Sequence, residues 1–132
     1  MSRVGLIMLE NFKRNVTYLD EYDEKSFIGF WLDYNTWSDI EYWKLEEDLL
    51  KIRHLDDISF DDLSDLMRIV QLMFVPNWKD FTVMKEHEQF TLNKDWGKAP
   101  NISDRFERFT YVLGFLFKQN REPDLSDFAY IK

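Results

Sequence analysis

Two histidines and a few paired carboxylates are the side chains of this 132-residue chain whose types invite a chemical reading. His54 precedes Asp56 and Asp57, and His87 lies between Glu86 and Glu88, so each imidazole has carboxylates that would suit a zinc site beside it. The two histidines are 33 positions apart, however, and neither has the short-range partner of known zinc sequences. Solvated polar loops account for them, and no metal is expected. Asp56-Asp57 and Asp61-Asp62 have the composition of a general acid and base pair. They fall on or beside a helix start, where the positive end of the helix dipole already explains them. There is no cysteine, hence no thiol nucleophile and no thiolate ligand, and the four glycines form no phosphate-cradling or nucleophile-elbow run. The expectation is a non-enzyme without a cofactor, and catalysis by His87 with Glu86 or Glu88 is the weakest of three readings.

The stronger chemical signal is charge set among aromatic rings. The net charge is −8, but residues 20–65 carry 15 acidic and 4 basic side chains, a net −11, whereas the remainder carries 10 acidic and 13 basic, a net +3. An acidic half argues against nucleic acid as a direct ligand, because phosphate contacts need Lys and Arg. It suits a basic protein partner, against the plainer reading that the carboxylates only solvate helix faces. Within the same half, Tyr18, Tyr22, Phe27, Phe30, Trp31, Tyr34, Trp37, Tyr42 and Trp43 supply 9 of the 26 residues from 18 to 43. Most of these belong in a core, and those left outside among carboxylates would make rigid anchors inside a steering rim.

The elements that position these residues are mainly helical. Ser38-Asp39-Ile40-Glu41 fits a capping box, and Trp37 and Tyr42 have the spacing of a hydrophobic staple, which starts a helix running from about Asp39 to about Arg53. Tyr42, Leu45, Leu49 and Ile52 form its stripe, widened by Ile40, Trp43 and Leu50; Glu46 falls inside that face and is expected at its rim, the alternative being a buried cation beside it. Leu9, Phe12, Val16 and Leu19 predict a first helix over 6–19, weakened at its end by β-branched Val16 and Thr17. Asp20-Glu21-Tyr22-Asp23-Glu24 then reads as an exposed acidic connection. Residues 26–34 are too densely apolar for periodicity to decide between strand and helix; Ser26 can cap a helix and Gly29 disfavours one, which leans to a short helix or turn.

Ser59 with Asp61 and Asp62 starts another helix, with Leu63, Leu66, Met67, Val70 and Phe74 on one face flanked by Ile69 and Met73, ended by Pro76. Phe81, Val83, Phe90 and Leu92 alternate with polar residues as two short extended pieces within 80–92, and Trp96, Gly97 and Pro100 mark loop. Asn101 with Asp104 starts the last helix, from about Ile102 to about Gln119, on Ile102, Phe106, Phe109, Leu113, Leu116 and Phe117. After Glu122-Pro123-Asp124, the residues Leu125, Phe128, Tyr130 and Ile131 dock back. Residues 1–132 therefore predict a mainly α chain, a single compact helical domain of about four helices with a short irregular or extended insert. The apolar patch Gly5–Leu9 is too short for a signal core, and nothing approaches the ~20 apolar residues of a membrane helix, so a soluble cytoplasmic protein is expected.

From Asn15 to Leu45 the chain reads N-x-x-Y-x-D-E-Y-D-E-x-S-F-I-G-F-W-x-D-Y-x-x-W-S-x-x-E-Y-W-K-L. This run resembles immunity proteins of bacterial contact-dependent growth inhibition and related polymorphic toxin systems, over roughly the first 50 residues. The resemblance implies a small cytosolic, non-catalytic protein that neutralises one cognate toxin C-terminal domain by tight binding at or near its active site. Many such toxins are nucleases with basic clefts, some of them acting on tRNA. The partner-binding residues expected on this reading are Asp20, Glu21, Tyr22, Asp23, Glu24, Asp33, Tyr34 and Glu47. The runner-up is a small α-helical adaptor or regulatory protein-binding domain with no toxin partner.

Overall fold

The computed structural model describes residues 9–52, 58–74, 82–83, 89–116, 118 and 122–132. Among the described residues five helices and two small sheets follow one another: α1 Glu10–Lys13, α2 Phe27–Tyr34, β1 Thr36–Trp37, α3 Asp39–Ile52, α4 Phe60–Phe74, β2 Thr82–Val83, β3 Thr91–Leu92, α5 Ile102–Phe115 and β4 Tyr130–Ile131. The mainly α expectation holds, with α2 as the helix that periodicity alone leaves open. β1 pairs parallel with β2, Trp37 opposite Val83, and β3 pairs antiparallel with β4, Leu92 opposite Tyr130.

Trp37 is the hub. Its fully buried ring has the rings of Phe27 at 4.7 Å, Tyr42 at 5.1 Å, Phe106 at 5.4 Å and both Trp31 and Tyr130 at 6.1 Å, mostly edge-on or tilted as aromatic quadrupoles prefer. The 5.1 Å contact with Tyr42 is the expected staple. The Ser38 oxygen accepts from the Glu41 N–H at 3.3 Å, but both Glu41 carboxylate oxygens are taken by cations, Arg14 at 2.9 Å and Lys44 at 3.0 Å. At α5 both halves of the box form: Asn101 accepts from the Asp104 N–H, and Asp104 accepts from the Asn101 N–H, each at 2.9 Å.

Three expectations are corrected. The first helix spans only Glu10–Lys13, because Asn15 folds back on the Asn11 carbonyl and lends its side-chain oxygen to the Ile28 N–H; successive turns then carry Val16 and Leu19. Residues 6–8 of that prediction lie outside the described residues. Second, Glu46 is not at a rim. It is 5 % exposed, holds Arg108 through both oxygens at 2.7 and 2.8 Å, and accepts from the Tyr42 hydroxyl at 2.9 Å. Third, α4 is rotated from its expected face: Leu66, Ile69 and Met73 are buried, whereas Met67 and Phe74 are exposed. Lys13 causes the rotation by binding Asp62 and Asp65 at 2.7 Å each, which draws two carboxylates into the interface. Pro76, Phe81, Phe117 and Gln119 lie outside the described residues.

A parallel pair of buried ionic locks joins α3 to α5. Asp39 binds Arg105 and accepts from the Tyr130 hydroxyl at 2.5 Å, as Glu46 binds Arg108 and accepts from Tyr42. Arg108 also reaches the carbonyls of Leu125 and Tyr130, which docks the C-terminal segment. In both locks each charge thus has a partner and filled hydrogen bonds, the condition under which burial of charge is tolerated.

Candidate interaction surface

The acidic connection is built around a clamp. Ser26 caps α2 by accepting from the Gly29 N–H at 3.1 Å, while its own N–H donates to the Asp23 carbonyl at 2.8 Å. Arg14 fastens the other side: its Nε and Nη2 donate to Asp23 Oδ2 at 3.1 and 2.8 Å, its carbonyl accepts from the Asp23 N–H at 3.0 Å, and its Nη1 donates to Glu41. The Lys25 N–H and then the Arg14 guanidinium hold the Asp23 carboxyl below the usual range. At Gly29 there is no room for a side chain, since a Cβ there would stand 2.1 Å from the Glu24 carbonyl oxygen. Backbone therefore lies directly on backbone, and the loop is seated on α2.

The expected site residues divide accordingly. Asp20, Glu21, Glu24 and Asp33 are exposed, and Tyr34, at the last position of α2 before left-handed Asn35, is 64 % exposed beside the Phe30 ring. Tyr22 is half-buried. Burial raises its pKa first, and the charges of Asp33, Glu24 and Asp23 add to that. Asp23 is committed to the clamp. Glu47 stands apart, exposed on α3 with Lys51 at 3.9 Å.

A second surface was missed by sequence reasoning. Tyr18, Leu63, Ser64, Met67, Arg68 and Gln71 line an open groove of ≈ 590 Å³ along α4. The Tyr18 hydroxyl donates to Asp65 at 2.7 Å, Arg68 lies over its ring at 5.9 Å, and Arg68 Nε donates to Thr17. Periodicity places Leu63 and Met67 in the core, and no residue type announces that Asp62 and Asp65 would displace them.

Among the described residues no group of three or more His, Asp or Glu side chains is placed to hold a metal ion, and no helix is long and apolar enough to cross a membrane. His54, His87 and the carboxylates next to them lie outside the described residues. What the described surface offers is exposed carboxylates on a seated loop and exposed rings, the materials of recognition. A family model described as Immunity protein 41 matches residues 14–130. Comparison with curated proteins finds no significant match, nor does comparison with solved structures.

Proposed function

The chain belongs to the Immunity protein 41 family, which implies a cognate toxin as partner, and from that premise we propose that it binds a basic nuclease domain and blocks its active site or substrate cleft. In this reading the toxin acts on nucleic acid inside the cell, tRNA among its candidate substrates, so the proposed place of action is the cytoplasm and the system is one of contact-dependent growth inhibition or a related kind. The proposed contact residues are Asp20, Glu21, Tyr22, Asp23, Glu24, Asp33, Tyr34 and Glu47, with binding and not turnover as the activity.

The observation that carries this reading is the seated acidic loop. The loop backbone, held by Arg14, Ser26 and Gly29, presents the exposed carboxylates of Asp20, Glu21 and Glu24 to a cleft that binds phosphates, and an ordered loop loses little entropy on binding. The test is co-expression with the toxin domain encoded immediately upstream of this gene, together with a nuclease assay on tRNA and on DNA. The reading expects full protection of cells and stoichiometric inhibition of cleavage. An upstream gene encoding no toxic domain, or a toxic domain that the chain neither binds nor inhibits, would overturn it in favour of the adaptor reading.

A further inference from the structure

The proposed contacts leave the outer face of α4 unexplained. Phe60, Leu63, Met67, Val70 and Phe74 follow one another at intervals of 3, 4, 3 and 4 residues, the spacing of a seam that receives another helix. Folding buries a different stripe, Leu66, Ile69 and Met73 with Asp62 and Asp65, and the last ring of the seam, Phe74, packs on the core rings of Phe106 and Phe109; Leu63 and Val70 are half-buried, and Phe60 is 87 % exposed and Met67 56 %. Beside it Tyr18, 55 % exposed, is fixed by Asp65 at its hydroxyl and by Arg68 over its ring. Arg68 is in turn spent on Thr17 and Gln71. An ordered tyrosine facing a pliable methionine across an open groove is the composition of an anchor site, and a contiguous apolar patch on a soluble chain marks an interaction surface.

Charge selects the occupant. Lys13 pairs with both Asp62 and Asp65, whereas Asp61, which follows Phe60 in the chain, and Asp20 and Glu21, which follow Tyr18 by two and three residues, are exposed carboxylates. Tyr18, Leu63 and Met67 give the groove its apolar contact, and the surrounding stretch 20–65, with 15 acidic and 4 basic residues, fits an apolar side chain flanked by Lys or Arg. It suits a second copy of this chain poorly, because each copy brings a net −8.

Resting on the immunity reading, we infer that the groove between Tyr18 and Met67 is the anchor site for the toxin: an apolar side chain, carried on a helix with basic neighbours, seats against Tyr18, Leu63 and Met67. The contact face then runs from the acidic loop across Tyr18 onto α4. The loop sets the rate of encounter and the groove sets the lifetime of the complex.

The test compares wild type, Met67→Asp, Met67→Leu and Trp96→Asp for binding to the upstream toxin domain, with melting curves and light scattering on each protein alone. Met67 and Trp96 are both exposed apolar residues, so the two aspartates add the same charge at two places. That charge favours a basic partner at long range; a loss of affinity must therefore come from contact. The expected result is at least about a tenfold loss for Met67→Asp, mostly as faster dissociation, with Met67→Leu and Trp96→Asp within about threefold of wild type and all four melting alike. If wild type binds and protects while Met67→Asp does so equally well, the groove assignment fails and the immunity reading stands. If wild type itself neither binds nor protects, both fail. A wild-type dimer that Met67→Asp disperses without loss of toxin binding would assign the groove to a second copy and overturn the inference.

Discussion

Arg105 meets Asp39 through two parallel hydrogen bonds, Nε to Oδ1 at 2.8 Å and Nη2 to Oδ2 at 2.9 Å, and neither side chain is exposed at all. The guanidinium also donates to the Pro100 carbonyl at 2.7 Å and lies over the Tyr130 ring at 4.7 Å, so α3, α5 and the C-terminal strand converge on it. Removing one member leaves the other as an uncompensated buried charge. Asp39→Ala should therefore cost about 3–5 kcal/mol, against about 1 kcal/mol or less for Lys44→Ala at the exposed Glu41 pair. Urea denaturation of both variants checks the contrast, and equal losses would contradict it.

The two phenols inside these locks set an alkaline limit. Burial first, then Glu46 beside Tyr42 and Asp39 beside Tyr130, raises both pKa values well above the ordinary 10. A group whose folded pKa is raised contributes stability that is whole below the unfolded value and is lost as pH rises toward the folded one. Stability should thus decline above pH ~10, the unfolded tyrosine value. Tyrosinate absorbance from these two residues should appear only together with unfolding. Their ionisation while the fold persists, by absorbance and circular dichroism in parallel, would refute the assignment.

Two glycines in helices should answer oppositely to alanine. Gly29→Ala drives a Cβ into the Glu24 backbone at 2.1 Å, and backbone cannot swing aside as a flexible side chain can. Overpacking of about 1–3 kcal/mol should outweigh the ~1 kcal/mol helix-propensity gain. Gly114 in α5 is exposed and an added Cβ would meet nothing within 4 Å, so Gly114→Ala should stabilise by about 0.5–1 kcal/mol. Thermal melts of the two variants should move in opposite directions.

The start of α3 grades a cap against a core ring. Trp37→Ala removes the aromatic hub and should cost about 3–5 kcal/mol, whereas Ser38→Ala removes one hydrogen bond of 3.3 Å and should cost about 1 kcal/mol or less. Equal melting temperatures for the two variants would mean that Trp37 is not the hub.

What is legible in the sequence is local. The capping signatures at Ser38, Ser59 and Asn101 locate three helix starts, and Ser26 leans to a fourth that periodicity leaves open, since each cap depends on a side chain reaching the backbone three residues on. What is not legible depends on pairs distant in sequence. Lys13 with Asp62 and Asp65 turns α4, and Arg108 draws Glu46 inside; these pairs are separated by 49, 52 and 62 positions. A lone carboxylate on an apolar face carries no mark of the cation that will meet it. The same blindness hides the groove, whose apolar residues read as core until the helix is rotated. Asp20, Glu21 and Glu24 read as exposed and are, but the half-burial of Tyr22 and the clamp of Asp23 by Arg14 need the fold.

The proposed acidic face separates encounter from residence. Asp20, Glu21, Glu24 and Glu47 are exposed carboxylates, so reversing them to Lys removes long-range attraction while leaving the core and the Arg14 clamp alone. Asp23 is kept, because Asp23→Lys would break its bonds to Arg14 and unseat the loop, confusing charge with structure. Tyr22 is half-buried and is left for the same reason. The fourfold reversal should slow association with the toxin by about tenfold or more at low salt and flatten its salt dependence, since screening over a Debye length of about 10 Å at 0.1 M already weakens such attraction. Tyr34→Ala takes away an exposed ring without changing charge, and should chiefly speed dissociation. Stopped-flow association across a salt series, with a protection assay in toxin-expressing cells, reads both effects. If the reversals leave rate and protection unchanged while reversals among the basic residues outside 20–65 abolish them, the carboxylates only solvate the fold and the toxin contacts another face.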